Sequence, residues 1–283
     1  MLCTSCGVLV GVNDDKCYNC GRRNPALWGF APLLRALGND LGFTPFVFGL
    51  CTVMFGLTVI GSSGLSSGGL FGMLAPDGRI LYLFGASGAG PVFGDGRWWT
   101  VLSAAWLHGG ILHFGLNMLS LRTLAPMIAE FYGPARMVII YTAGSVAGFT
   151  LSSVAARYFP VFPIIGGNPY WFQHMTVGAS ASLAGLLGAM VYYGRRSGSG
   201  MVRTQAMQWV TSMFVYGLLI PIIDNYAHLG GLAGGYLVAR LLDPLKPERG
   251  DHTVIAILCL LASLAAILWS AIPILIQLYL ARQ

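Results

Sequence analysis

Three short stretches of this sequence place polar side chains among residues that are otherwise apolar or small. The first runs His108-Gly-Gly-Ile-Leu-His113-Phe-Gly-Leu-Asn117. His113 and Asn117 are four apart, so on a helix they share a face. An imidazole and an amide projecting together can donate to an oxyanion, and an interhelical hydrogen-bond pair uses the same spacing. The second is Gly178-Ala-Ser180-Ala-Ser182-Leu-Ala-Gly185-Leu-Leu-Gly188. A serine at a helix start meets free N–H groups and the positive end of the helix dipole, which suits a nucleophile whose attack creates negative charge. A stripe of small residues whose hydroxyls bond back to the helix is the other reading. The third is Tyr226-Ala-His228-Leu-Gly230-Gly231, continuing to Gly234-Gly235. A neutral histidine beside a glycine face can reach a serine on a neighbouring helix and take its proton; a single satisfied histidine also fits. His108 falls off the His113 face, and His174 and His252 belong to loops. Asp224, one turn before His228, is expected to cap the helix start.

A different chemistry opens the chain. Of six cysteines, four form two matched units, Cys3-Thr-Ser-Cys6-Gly7 and Cys17-Tyr-Asn-Cys20-Gly21, while Cys51 and Cys259 stand singly in apolar runs. Two Cys-x-x-Cys-Gly knuckles at this spacing predict a small zinc ribbon, with four thiolates closing a tetrahedron on one structural Zn²⁺ and no open position for catalysis. A pair of disulfides or a redox Cys-x-x-Cys fits less well, because no βαβ pattern follows. Reduced thiols place this end in the cytosol, and no signal-peptide pattern precedes it.

The elements that must position these groups follow from composition. The 283 residues include 16 Lys+Arg and 10 Asp+Glu, only 9% charged, with 55% hydrophobic residues and 39 glycines; mean hydropathy is +0.69. Soluble domains carry about 25% charge. The expectation is an all-α polytopic membrane protein whose small residues let helices pack closely in lipid; a nucleic-acid binder, a disordered chain, a coiled coil and a secreted disulfide module fit poorly. Apolar segments near the ~20 residues that cross a bilayer fall at Pro45–Ser62, Trp99–Leu119, Ala135–Ala156, Thr176–Tyr193, Thr204–Ile222, Tyr226–Leu242 and Val254–Leu280. With a cytosolic N-terminus, Lys16, Arg22, Arg23, Arg35, Arg122, Arg136, Arg195, Arg196, Arg203, Arg240, Lys246 and Arg249 face the cytosol. Only Arg79, Arg97, Arg157 and Arg282 face away, as the positive-inside rule requires. Ser180, His228, His113 and Asn117 then lie at one depth near the outer face. The Gly-rich stretch Ser63–Arg97 is too long for a simple connection and reads as a functional or partly inserted loop.

No carboxylate falls mid-span and no His-Glu-x-x-His occurs, which argues against a carboxylate-relay transporter, an intramembrane aspartyl protease and a helical zinc protease. The ordered motifs His113-x3-Asn117 within His-x4-His-x3-Asn, Gly178-x-Ser180, and Ala227-His228-x-x-Gly231 resemble the rhomboid family of intramembrane serine proteases over roughly Trp99–Leu242. The resemblance implies a six-helix rhomboid core with a seventh C-terminal transmembrane helix. It makes Ser180 the nucleophile and His228 the general base, with His113, Asn117 and the Ser180 backbone N–H as the oxyanion hole and no catalytic cofactor. The implied reaction is cleavage of membrane-anchored proteins near the outer end of their transmembrane segment through an acyl-enzyme. Where the family usually has glycine after the serine this chain has Ala181, and at the often aromatic fourth position it has Ala184. A catalytically impaired relative that binds transmembrane clients is the alternative. The expected organisation is a ribbon at 1–24, a linker or interfacial helix at 25–44, the core at 45–242, and a cytosolic loop with the last span at 243–283. Expected partners are membrane-protein substrates, membrane lipids and a cytosolic protein docking on the ribbon.

Overall fold

The computed structural model describes residues 2–11, 14–25, 37–62, 73–159, 175–220 and 223–280, with side chains of the last helix as far as Ile272. Most of the expected linker at 25–44, the first part of the Ser63–Arg97 loop, and His174 lie outside them. The described fold is helical, and its only β pairing is three isolated bridges.

We label the helices α1 (Phe43–Gly61), α2 (Gly78–Phe84), α3 (Thr100–Ser103), α4 (Ile111–Tyr132), α5 (Pro134–Tyr158), α6 (Ser180–Arg196), α7 (Gly200–Leu219), α8 (Asn225–Leu242) and α9 (Gly250–Leu280). Four of them, α1, α4, α5 and α9, are long and apolar enough to cross a membrane. The centre of the bundle is α6, packed by α8, α5, α7 and α4. Because other helices rather than lipid surround it, its sequence selects small residues over bulky apolar ones: Ala181, Ser182, Ala184, Gly185, Gly188 and Ala189 are all buried.

The expected span Trp99–Leu119 is corrected. The chain enters through α3 and a 3₁₀ turn, Ala104–Trp106, and breaks before α4 begins at Ile111, with Gly110 extended. A hydropathy window averages across Gly109-Gly110 and cannot register the break. His108 therefore belongs to the break and is fully buried, while His113 and Asn117 occupy the first two turns of α4. Arg122, expected in a loop, lies within α4 with its side chain exposed.

At the opposite end of the bundle a clasp ties three elements. The buried Arg136 guanidinium, in the first turn of α5, donates to the carbonyls of Leu242 (3.1 Å), Asp243 (3.0 Å) and Lys246 (2.9 Å) and to that of Tyr132. The Arg136 N–H donates to Glu248 at 2.9 Å. Asp243 forms ion pairs with Arg196 (3.4 Å) and Lys246 (3.8 Å). Burial acts to raise its carboxyl, but the Leu245 N–H and the Arg196 side chain win and hold it below the usual carboxylate range.

Candidate active site

Ser180 is the first residue of α6, and no side chain caps that helix. Its first-turn N–H groups are therefore not consumed by a side-chain cap and point toward the segment that precedes it. That segment is held at fixed points: Thr176 pairs with Ser87 through both backbone bonds (3.1 and 2.7 Å), and the Gly178 N–H donates to Ala104 at 2.9 Å.

Gly178 is glycine for two physical reasons. Its φ of +126° disfavours any side chain. A Cβ there would also stand 2.6 Å from His113 Nε2 and 3.7 Å from Ser180 Oγ. The missing methyl is what lets the imidazole and the hydroxyl border one small space.

The hydrogen bonds of His113 fix its chemistry. The Gly109 N–H donates to His113 Nδ1 at 3.3 Å, so Nδ1 carries the lone pair and the neutral ring bears its hydrogen on Nε2. The atom facing the serine side is thus a donor. Asn117 is buried, and its amide donates to the His113 carbonyl at 2.9 Å, which leaves one amide hydrogen uncommitted.

His228 reaches the same region from α8. The two helices run parallel in a fixed register: the Ala181 carbonyl fills the space a Gly231 side chain would need, and four residues further on each helix Gly185 fills that of Gly235. Ser180 and His228 precede the first of these contacts by one and three residues, so they lie within about one helical turn of each other in depth. His228 is buried, and its Nδ1 has no hydrogen-bond partner. No carboxylate among the described residues orients it. Asp224 instead caps α8, accepting the Ala227 N–H at 2.9 Å, as its position predicts.

Both departures in this region have structural counterparts. The Ala181 methyl lies over Gly148 of α5, where a Cβ would stand only 2.8 Å from it and 2.5 Å from the Ala227 carbonyl. Ala184 packs against Gly231, and no aromatic ring among the described residues stacks on His228. Ser182 is fully buried, and its hydroxyl has no hydrogen-bond partner.

Residues 95–244 match the family model of the Rhomboid domain, just over half of the chain. The chain belongs to the rhomboid family. Among its relatives, this rhomboid is 29% identical over 184 residues to the "Rhomboid protease GluP" of Bacillus subtilis (strain 168), covering 64% of this chain and 33% of that protein. It is 29% identical over 182 residues to "RHOMBOID-like protein 4" of Arabidopsis thaliana, covering 63% and 42%. It is 24% identical over 184 residues to the "Putative rhomboid protease YdcA" of Bacillus subtilis (strain 168), covering 64% and 85%. The alignment thus spans less than half the length of the first two relatives.

The four N-terminal cysteines converge separately. Their sulfurs all lie within 4.8 Å of one another, with Cys3–Cys20 at 3.8 Å and Cys6–Cys17 at 3.6 Å. Sulfurs bound tetrahedrally at ~2.3 Å would stand about 3.8 Å apart, so the four thiols fit one metal ion. The knuckles repeat each other bond for bond: Cys3 N–H to Val8 (2.8 Å) and Gly7 N–H to Cys3 (2.9 Å), then Cys17 N–H to Arg22 (2.9 Å) and Gly21 N–H to Cys17 (2.9 Å). The Val8 N–H and the Asn19 side chain hold the Cys6 thiol down to about 6. At Cys20 the Arg22 N–H acts in the same sense, but burial and the three neighbouring sulfurs prevail and push it up to about 11. Crowded thiolates of this kind are relieved by a bound dication.

Sequence reasoning named His113 and Ser180, whose atoms lie nearest the missing Gly178 side chain. It did not find Ser152, whose hydroxyl donates to Asp224, or Thr176 beside it, because no local spacing links them to it.

Proposed function

We propose that this rhomboid is an intramembrane serine endopeptidase. Ser180 Oγ attacks the carbonyl carbon of a scissile peptide bond while His228 takes the hydroxyl proton. Negative charge forms on the former carbonyl oxygen, and His113 Nε2–H, the Ser180 N–H and the free hydrogen of Asn117 stabilise it. Collapse expels the amine, which takes the proton from His228, and leaves an acyl-enzyme on Ser180. Water, deprotonated by His228, hydrolyses the ester and restores the dyad. The observation that carries this reading is the space around Gly178, bordered at once by a donor-tautomer imidazole and the serine hydroxyl. A protein that only binds clients needs neither group in that arrangement.

In this reading the seven long helices span the membrane with the N-terminus in the cytosol and the dyad near the outer face. Substrates are membrane-anchored proteins cut near the outer end of their transmembrane segment. The four-cysteine site holds a structural Zn²⁺ that folds the ribbon and takes no part in proteolysis.

The test is cleavage of a single-pass reporter co-reconstituted with the purified protein in liposomes, with the products sized by mass spectrometry. Cleavage at one bond near the outer end of the reporter helix, lost in Ser180→Ala, is expected. Products that persist in Ser180→Ala would overturn the assignment.

A further inference from the structure

A serine–histidine dyad has no carboxylate to hold the imidazole, so something else must fix the distance between nucleophile and base. The first candidate is the α6–α8 glycine contact, which sets depth and register. It leaves open how the loop that delivers Ser180 is tied to the start of α8, because both lie on the outer side of that contact.

One side chain bridges the two. Asp224 precedes α8, and its Oδ1 accepts the Ala227 N–H at 2.9 Å. Its Oδ2 accepts the Ser152 hydroxyl of α5 at 2.5 Å. The Thr176 side chain lies beside the same carboxylate. Thr176 lies four residues before Ser180 and is itself paired to Ser87 by two backbone bonds. Asp224 therefore joins the base's helix, four residues before His228, to the nucleophile's loop and to α5, the helix on which Ala181 and Gly230 both rest.

We infer that Asp224 is a positioning residue for the dyad, a clamp that sets the Ser180–His228 separation through Ser152 and Thr176 without touching the imidazole. A cap needs only one acceptor at this position, and serine or asparagine supplies it as well as aspartate. The clamp needs two oxygens on a side chain long enough to meet partners from two other elements. The geometry separates the two roles: Asp224→Ser keeps the cap and loses the bridge. Asp224→Asn keeps both, since its oxygen accepts the Ala227 N–H and its NH₂ can donate to the Ser152 hydroxyl, which accepts as readily as it donates.

The inference rests on the dyad reading, and the experiment distinguishes their failures. The rate of fluorophosphonate labelling per folded molecule is compared in wild type, Asp224→Ser, Asp224→Asn, Ser152→Ala and Thr176→Val, with thermal midpoints and reporter kcat and KM measured alongside. The expected result is about tenfold slower labelling in Asp224→Ser, the order of loss that sub-ångström misplacement of reacting groups produces. Its midpoint should stay within a few degrees of wild type, with kcat lowered and KM unchanged. Asp224→Asn should recover most of the rate, and Ser152→Ala and Thr176→Val should each show a smaller loss. Asp224→Ser labelling at the wild-type rate would overturn the clamp and leave Asp224 a cap. Should Asp224→Ser fail to fold, wild-type rates in both Ser152→Ala and Thr176→Val would overturn it equally. A folded wild type that takes no label would sink the dyad itself, and the clamp with it.

Discussion

At the scale of single residues, the site is organised by what is missing at Gly178 and by which nitrogen of His113 carries hydrogen. The Gly109 N–H occupies Nδ1, so His113 Nε2 carries the hydrogen and, in the proposed mechanism, donates rather than competing with His228 as base. His113→Ala is expected to lower kcat about 10²-fold or more, the usual cost of removing an oxyanion donor, with KM little changed. Asn117→Ala should cost less, because part of its amide is already spent on the His113 carbonyl. Steady-state kinetics on the reporter decide both, and an unchanged kcat in His113→Ala would remove it from the oxyanion hole. Ala181 illustrates compensation: its methyl is matched by Gly148 on the facing helix. Gly148→Ala would press a second methyl against both Ala181 and the Ala227 carbonyl. It should cost about 1–3 kcal/mol, read as a lower thermal midpoint, whereas Ala181→Gly should cost no more than about 1 kcal/mol.

Among the elements, the decisive fact is that α6 and α8 approach backbone to backbone through Gly231 and Gly235, so Ser180 and His228 cannot slide in register. The clasp at the other end does similar work for α5, α8 and the turn before α9. Arg136→Ala would leave the carbonyls of Leu242, Asp243 and Lys246 without their donor. We expect a loss of about 1–3 kcal/mol, measured as a lowered thermal midpoint. Arg136→Lys should restore only part of it, because an ammonium cannot span three carbonyls as the planar guanidinium does. Wild-type stability in Arg136→Ala would show that water replaces the clasp. Much of this level was legible beforehand. Ser180, His228 and Asp224 could each be placed at a helix start, because small-residue runs and an N-cap aspartate are local signals. The break at Leu107–Gly110 was not legible, since apolar residues flank it on both sides. Nor were the distant partners of Asp224 and Arg136, which come from segments 72 to 112 positions away in sequence and meet only when the bundle closes.

For the whole molecule, two groups of reactive side chains share one chain: a four-cysteine site in the first twenty residues and the helical core that carries Ser180 and His228. Removing the metal with a chelator should unfold the proposed ribbon and leave reporter cleavage intact, since a metal ion bound by four thiolates has no open position. Loss of cleavage on chelation, restored by Zn²⁺, would instead couple the ribbon to catalysis. The core's apolar exterior and small-residue interior were readable from composition. The number of helices that qualify as spans by their own apolarity was not, because α6 is packed by neighbouring helices and has the small residues that packing selects. The most direct test of the central claim is to label the purified, folded protein with a fluorophosphonate serine probe and locate the adduct by mass spectrometry. One adduct is expected, on Ser180, abolished by Ser180→Ala, strongly reduced by His228→Ala, and unchanged in Ser182→Ala. An adduct on another residue, or one indifferent to His228, would contradict it.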